Sequence, residues 1–320
     1  MSVLSKPYMH DEAATFAHVE SIIWADGPVC PHCGVVDRAY RLEGVRTKAS
    51  KKHPEGKERH GLWKCRECRK QFTVRKGTIF EESHIEMHKW LQAIHLMVSS
   101  KKGISSHQLH RVLEITHKSA WFMSHRIREA MRTDGNVDFG AGGGTVEVDE
   151  TFIGIDRTIK PKHSKKGRGY AHKHKMLTLV DRNTGRAKSM VVDDLKTATL
   201  LPILKENIAK EAVVYTDEAG QYKHLSRDFA AHDFTRHGAG EYVRGNVHTN
   251  TIEGYFSIFK RGMKGVYQHC AKKHLHRYAA EFEFRYNNRV ANGVDDLGRA
   301  NAALIGIVGK RVLYRDSLGA

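Results

Sequence analysis

Residues 145–154, TVEVDETFIG, alternate apolar and polar side chains up to Asp149 and read as a strand with one buried face. Asp149 ends the alternation. A carboxylate at the end of a buried strand points out of the core, where solvent or a metal ion can reach it. The plain alternative is a turn residue. Asp181, Asp193 and Asp194 stand at similar strand ends, so position alone does not single out Asp149.

Working outward, HKMLTLVDRNTGRAKSMVV (174–192) reads as two strands joined at Asn183-Thr184-Gly185. TATLLPILKENIAK (197–210) reads as a helix, and EAVVYTDEAG (211–220) as a strand and turn in which Asp217 ends the strand. Residues 221–248 are mixed, with a short strand at AHDFTR (231–236). HTNTIEGYFSIFKRG (248–262) opens a mostly helical stretch that runs to about 290, with Ile252, Tyr255, Phe256 and Phe259 as its apolar stripe. Asn250 can cap that helix, and Glu253 stands three residues later, where a capping-box glutamate belongs. Locally, Glu253 reads as a cap or as a site carboxylate.

Upstream, residues 11–24 have Ala13, Phe16, Val19 and Ile23 at helical spacing behind Asp11 as N-cap. Cys30-Pro31-His32-Cys33 and Cys65-Arg66-Glu67-Cys68 then form two C-x-x-C pairs separated by 31 residues. Tetrahedral Zn²⁺ takes four such thiolates from two tight turns, so Cys30, Cys33, Cys65 and Cys68 are the candidate zinc ligands of an architectural site. The alternative is four buried reduced thiols. His32 is a bystander inside its knuckle, and Cys270 is structural. MSVLSKPYMHDEAATF has no apolar core of an export signal, which fits reduced cysteines and a cytoplasmic, nucleoid-associated protein. No apolar run approaches membrane-spanning length.

Residues 86–100, 105–116 and 117–132 read as three short helices, the second capped by Ser105 or Ser106 and the third by Thr116 or His117. The last two resemble a helix-turn-helix, with Lys118, His125, Arg126 and Arg128 available to DNA and Trp121, Phe122, Ile127 and Met131 facing the core. A small helical bundle is the alternative. The resulting organisation is a multi-domain α/β chain. A leading helix and zinc ribbon occupy 1–82, and a helical DNA-binding domain 83–132. A Gly-rich linker (133–144, TDGNVDFGAGGG), a catalytic domain (145–292) and a C-terminal tail (293–320) follow.

The 320-residue chain holds 53 Lys and Arg against 36 Asp and Glu, a formal net charge of +17. The excess is clustered. Residues 41–80 carry 13 basic residues against 4 acids, 157–175 carry 8 and no acid, and 260–277 carry 6 and no acid. Three such runs point to a polyanion, with double-stranded DNA the first candidate.

The order strand-Asp149, hairpin, helix, strand-Asp217, helix-Glu253 resembles the RNase H-like fold of DDE transposases and integrases. The 35 residues between Asp217 and Glu253 match the DD35E spacing. Lys260, seven residues beyond Glu253, shares its helical face. With CPHCG, WKCRECRKQFTVRKGTIFEES, VEVDETFIG, VYTDEAGQY and HTNTIEGYFSIFKRGMKGVYQH, the chain resembles the zinc-ribbon transposases of bacterial insertion sequences, the ISXO-type group, over roughly 10 to 290. The H-x-N-x-x-E pattern of that group is matched by His248, Asn250 and Glu253.

The resemblance implies a DNA transposase that binds the terminal inverted repeats of its element. It implies that Asp149, Asp217 and Glu253 hold two Mg²⁺ (or Mn²⁺) ions for strand cleavage and transfer, while Lys260 touches the DNA end. His248 and Asn250 support the metal site or serve as cap and packing residues. Element ends and target are the DNA partners, and joining two ends implies a homo-oligomer. The rivals are a non-catalytic zinc-containing DNA-binding regulator and an RNase H-like nuclease or resolvase.

Overall fold

The structure, a computed structural model, describes residues 2–313 except 52, 134, 136–137 and 157–169. Most of the basic run at 157–175 therefore lies outside the described residues. Contacts divide the chain into two compact units: residues 1–100, 104–131 and 294–320, and residues 101–103 with 132–293.

In the first unit, α1 (Glu12–Ile23) starts on Asp11, whose side chain accepts the Ala14 N–H. Three short strands, β1 (Ala39–Arg41), β2 (Trp63–Cys65) and β3 (Gln71–Phe72), form an antiparallel sheet in the order β1-β2-β3. Buried Glu20 ties α1 to this sheet by accepting the Trp63 indole N–H at 3.0 Å and the Arg41 guanidinium at 2.5 Å. At the other end of α1, the Glu12 carboxylate accepts the backbone N–H groups of Met87 and His88, the open donors at the start of α2 (Met87–Ser99). One leading helix thus satisfies both ribbon and bundle.

α3 (Ser106–Leu113) and α4 (His117–Met131) follow, capped by the Ser105 hydroxyl on the Gln108 N–H and the Thr116 hydroxyl on the Ser119 N–H. On α4, three of the four side chains expected to be available to DNA are inside. His125, Arg126 and Arg128 are buried, and of the four residues offered to DNA Lys118 is exposed. Arg126 donates to the carbonyls of Glu81 and Val312 and lies over the Trp90 and Phe122 rings, while Arg128 donates to the Ser124 hydroxyl. Trp121 and Phe122 are half-buried, and Ile127 and Met131 fully buried. The C-terminal tail, whose apolar segment is of no assigned type in the sequence, supplies α8 (Asp296–Ile305), which packs on α1, α2 and α4 with Ala303 and Leu304 in the core. Gly306 lets α8 end against the Ala130 carbonyl, only 2.3 Å from where a Cβ would stand.

The second unit is a five-stranded sheet: β4 (Thr145–Ile153), β5 (His174–Asp181), β6 (Ala187–Val192), β7 (Val213–Asp217) and β8 (Ala231–Thr235). Its order is β6-β5-β4-β7-β8, with β4, β5 and β6 antiparallel and β7 and β8 parallel to β4. This is the mixed α/β sheet expected of an RNase H-like domain. The expected hairpin turns at Asn183–Gly185, with Gly185 at φ +66°.

Alternation sorts side chains between two cores. Val146, Val148, Leu177, Leu179 and Val214 face α5 (Thr197–Asn207). Met176, Val180 and Ala187 face α6 (Asn250–Gly262) and α7 (Lys272–Asn287), and there Ile252, Tyr255, Phe256 and Phe259 are buried as their spacing requires. A small hairpin, β9 (Val243–Arg244) and β10 (Val247–His248), leads into α6.

The described part of the expected linker is built into this unit. Phe139 is buried in the α5-side core, exchanges backbone hydrogen bonds with Asn207 and Ala209, and Gly140 donates to the Asp181 carboxylate. At Gly140 (φ +73°) a Cβ would strike Ala212 and Val146. The glycines serve close packing rather than freedom.

Gly262, at the end of α6, packs against the Phe282 ring and the Lys102 carbonyl, 2.3 and 2.6 Å from an added Cβ. Gly262→Ala is expected to destabilise the protein by about 1–3 kcal/mol, as overpacking of a tight contact does; urea unfolding measures it.

Candidate active site and metal centre

Each knuckle of the ribbon closes on itself. The Cys30 N–H donates to the Val35 carbonyl and the Gly34 N–H to the Cys30 carbonyl; the Cys65 N–H donates to the Lys70 carbonyl. Gly34 at φ +76° and Arg69 at φ +60° supply the left-handed step. The Sγ atoms of Cys30 and Cys68 lie 3.6 Å apart and those of Cys33 and Cys65 3.7 Å, with all four ligand atoms within 4.8 Å of one another. With Zn–S bonds of about 2.3 Å, a tetrahedron has sulfur–sulfur edges of about 3.8 Å.

The Val35 backbone bond pulls the Cys33 thiol down, but burial and the three other thiols push it up to about 12. Burial raises Cys65, but the backbone N–H groups of Cys68 and Glu67 and the thiols of Cys33 and Cys68 outweigh it and hold it at about 7. Zn²⁺ takes thiolates, so binding here would displace the protons these thiols hold. His32 stays outside the cluster, its Nε2 3.4 Å from the Gln71 carbonyl. Cys30→Ser or Cys65→Ser is expected to release the metal; zinc per chain, measured by elemental analysis, should fall from one to near zero.

In the second unit, strand parity places the acids. Glu147 and Asp149 lie on the face of β4 opposite Val146 and Val148, and Tyr215 and Asp217 on the face of β7 opposite Val214. Both aspartates therefore point to the α6 side. β4 and β7 pair from Thr145–Val213 to Glu147–Tyr215, and continuing that register sets Asp149 level with Asp217. Asp149 is inside β4 rather than at its end: the strand runs on to Ile153 beside β5. What ends before Asp149 is the pairing with β7, and that gap opens the site.

Glu253 is exposed in the first turn of α6. The capping-box expectation is corrected. Thr249, not Asn250, is the N-cap, and its hydroxyl donates to Glu253 Oε1 at 3.3 Å. An open N–H at the helix start is taken instead by Glu147, which is fully buried and accepts the Ile252 N–H at 2.8 Å.

The Glu147 charge is balanced by Arg182, whose Nε lies 2.6 Å away. Arg182 also donates to the carbonyls of Asn246 and His248 and to His248 Nδ1, and lies over the Tyr215 ring. Arginine has no acceptor, so Nδ1 of His248 accepts and the ring proton sits on Nε2. The Asn250 N–H also points at that Nδ1, at 3.4 Å. His248 is thereby part of the clamp that joins the sheet to α6. Glu147 and Arg182 escaped the sequence reading. Their signal is a carboxylate between two buried valines and an arginine just after a strand, which one strand pattern alone does not connect.

Burial raises the Asp149 carboxyl to about 7, helped by the charges of Asp217, Glu150 and Glu253 and opposed by the Glu150 N–H bond. Its two candidate partners are therefore within electrostatic reach of it. Among the described residues, no group of three or more metal-ligating side chains other than the cysteines has all its ligand atoms within 4.8 Å. The competing strand-end acids are otherwise engaged. Asp181 accepts the N–H groups of Asn183, Thr184 and Gly140, Asp193 pairs with Lys272, and Asp194 holds the Lys196 N–H and Thr199 hydroxyl before α5. Glu150 points to the α5 face, where the Tyr222 hydroxyl and Gln221 amide donate to it. Lys260 is exposed on α6, its ammonium over the Phe256 ring.

Removing one partner of a buried ion pair strands the other charge. Glu147→Ala is expected to cost about 3–5 kcal/mol of stability, read by urea unfolding.

Residues 142–287 match the family model described as the ISXO2-like transposase domain, and residues 10–71 that of the transposase zinc-ribbon domain. An uncharacterized protein in transposable element ISH50 of Halobacterium salinarum is 27% identical over 276 residues, covering 82% of this chain and 87% of the relative. An uncharacterized transposase-like protein of Haemophilus influenzae is 29% identical over 100 residues, 31% of this chain and 80% of its own. Among solved structures, a chain of a simian T-cell lymphotropic virus intasome bound to the PP2A regulatory subunit B56 gamma is 10% identical, with TM-score 0.29, 55% of this chain and 63% of that chain covered. A chain of a pre-cleavage Mos1 transpososome is 10% identical, with TM-score 0.18, 64% of this chain and 78% of that chain covered. No helix among the described residues is long and apolar enough to cross a membrane. With the zinc-ribbon model followed by the ISXO2-like transposase model along one chain, the protein belongs with the zinc-ribbon insertion-sequence transposases.

Proposed function

We propose that this protein binds the terminal inverted repeats of its insertion sequence and catalyses metal-dependent DNA strand cleavage and strand transfer, with Asp149, Asp217 and Glu253 as the carboxylates that hold two Mg²⁺ or Mn²⁺ ions. What supports the reading is that Asp149 and Asp217 point to the side of the sheet on which α6 carries Glu253, and that burial, with the charges of Asp217, Glu150 and Glu253, raises the Asp149 carboxyl to about 7. A carboxyl that burial and neighbouring acids hold back from ionising fits a divalent cation, whose charge favours the carboxylate. Asp149 feels the charges of both other acids, so all three would hold the ions together. Bound there, two ions would activate the attacking oxygen and stabilise the leaving one.

The chain's own groups do the positioning. The Glu147–Arg182 pair fixes the start of α6, and the Thr249 hydroxyl orients Glu253. His248 acts through Arg182, and Asn250 through its backbone. Lys260 holds the DNA end through its phosphates. The zinc ribbon, with exposed Arg66, Arg69 and Lys70, contributes to end binding, and two protomers hold the two ends together.

The test is cleavage of a duplex carrying the element's end by the purified protein, with and without Mn²⁺. Asp149→Asn, Asp217→Asn and Glu253→Gln are each expected to lose about 10²–10³-fold or more in rate while end binding persists. Cleavage retained by any one of them removes that residue from the site.

A stability measurement checks the same assignment. The folded carboxyl of Asp149 titrates above its ordinary value of 3.8, at about 7, so its ionisation disfavours the folded state once pH exceeds the lower value and fully above the higher. Without divalent ions, Asp149→Asn is expected to melt a few degrees higher than the wild type at pH 8. That gain should shrink as pH falls towards 4. Added Mn²⁺ should raise the wild-type melting temperature and leave the variant's almost unchanged.

A further inference from the structure

Where β4 and β7 cease to pair, they are held together from the opposite face of the sheet. Their pairing stops at Glu147–Tyr215, so no ladder fixes the distance between Asp149 and Asp217 two residues further on. β7 ends at Asp217, and the chain then enters a short 3-10 turn, Gly220–Tyr222. From that turn the Tyr222 hydroxyl donates to Glu150 Oε1 at 2.5 Å, and the Gln221 amide donates to the same oxygen at 3.0 Å. Two hydrogen bonds thus cross the gap behind the acids.

Each end of this bridge also holds an aspartate. The Glu150 N–H donates to Asp149 Oδ1 at 2.7 Å. The Ala219 N–H, one residue before the turn, donates to Asp217 Oδ1 at 3.0 Å. The Thr197 hydroxyl at the start of α5 donates to the Gln221 carbonyl at 3.2 Å, which ties the turn to the helix beneath it. A continuous line of contacts therefore runs from Asp149 through Glu150, the turn and Ala219 to Asp217.

Stability alone does not call for polar groups here. Tyr222 is buried in the α5-side core that also contains Val148, Leu200 and Leu225. Once desolvation is counted, a buried hydrogen bond contributes little, and an apolar pair of the same shape can serve a core about as well. What the hydrogen bond adds is a fixed length and direction. That is a gain where two strands no longer constrain each other and each carries a site carboxylate.

We infer that Glu150, gripped by Tyr222 and Gln221, is a positioning residue that sets the separation of Asp149 and Asp217, and with it the spacing at which these carboxylates meet divalent cations. The inference rests on the metal-binding role proposed above for the two aspartates. Glu150 is not itself a ligand. Alternation turns it to the other face of β4, and its Oε1 is taken by Tyr222 and Gln221. Groups that hold metal ligands from behind orient them, and losing one costs about 10–100-fold in metal affinity.

The test uses the full-length, zinc-loaded protein, with Mn²⁺ affinity read from the electron paramagnetic resonance signal of the free ion. Tyr222→Phe keeps the ring and every charge and removes only the hydroxyl. Its Mn²⁺ affinity is expected to fall by about 10–100-fold, with DNA cleavage recovering at saturating Mn²⁺. Gln221→Ala, at a half-buried position, should weaken Mn²⁺ binding in the same direction by less. Ile208→Val thins the same α5-side core by one methyl group without touching the bridge, and its Mn²⁺ affinity should match the wild type's. Wild-type affinity in folded Tyr222→Phe overturns the inference. So does an equal loss in Ile208→Val, which would make the effect one of stability. The two readings fail separately. Binding lost in Asp149→Asn yet unchanged in Tyr222→Phe removes this inference and keeps the metal assignment. Mn²⁺ binding indifferent to Asp149→Asn removes both.

Discussion

The candidate active site depends on one buried carboxylate. Glu147 has no solvent, so its charge must be matched inside the protein. It is matched twice, by the Arg182 guanidinium and by the Ile252 N–H at the positive end of α6. Arg182 in turn holds the carbonyls of Asn246 and His248, the His248 ring and the face of Tyr215. Four segments, β4, β7, β10 and α6, are thereby referred to one charge pair. A helix start held this way has little freedom to slide or rotate. Glu253, one residue past Ile252, inherits that precision, although it is itself exposed.

Strand parity does the remaining selection. On β4 the pair Glu147 and Asp149 faces α6, and Glu150 cannot, because adjacent side chains alternate across a sheet. On β7 the same rule turns Asp217 towards α6 and gives Thr216 to the other face. The adjacent acids Asp149 and Glu150 thus have different surroundings. One meets like charges, and the other meets the hydroxyl of Tyr222 and the amide of Gln221. Asp181, Asp193 and Asp194, which a strand-end rule cannot distinguish from Asp149, are each held in a turn, an ion pair or a helix start.

Much of this was legible in the sequence because it rests on short-range pattern. Alternation in TVEVDE, the Asn-Thr-Gly turn, the apolar stripe of α6 and the doubled C-x-x-C each encode a local geometry, and each appears in the structure. What was not legible depends on partners distant in sequence. Arg126 looks like part of a cationic helix face until the Glu81 and Val312 carbonyls and the Trp90 ring take it inside. The glycines of 138–144 suggest a loose connection until Phe139 is found beside Ile208. The residues after 293 looked like a tail because α8 has no core of its own and borrows that of α1, α2 and α4. Asn250 looked like a cap because the acid that satisfies α6, Glu147, is a hundred residues earlier.

The same distinction bears on the net charge of +17. Charge counted along a chain treats every Lys and Arg as available to a polyanion. In the folded protein, Arg126, Arg128, Arg285 and Arg299 are buried, and Arg182 is committed to Glu147. Such arginines serve the fold, since a guanidinium can satisfy several carbonyls at once. The cations left on the surface are those that stay exposed, such as Lys260, Arg261 and Lys264. They stand on the very helix whose start is fixed by the buried pair, so the anchoring of Glu253 also fixes the bearing of the cations. Glu253 and these cations, on one continuous run of helical turns, keep their separation.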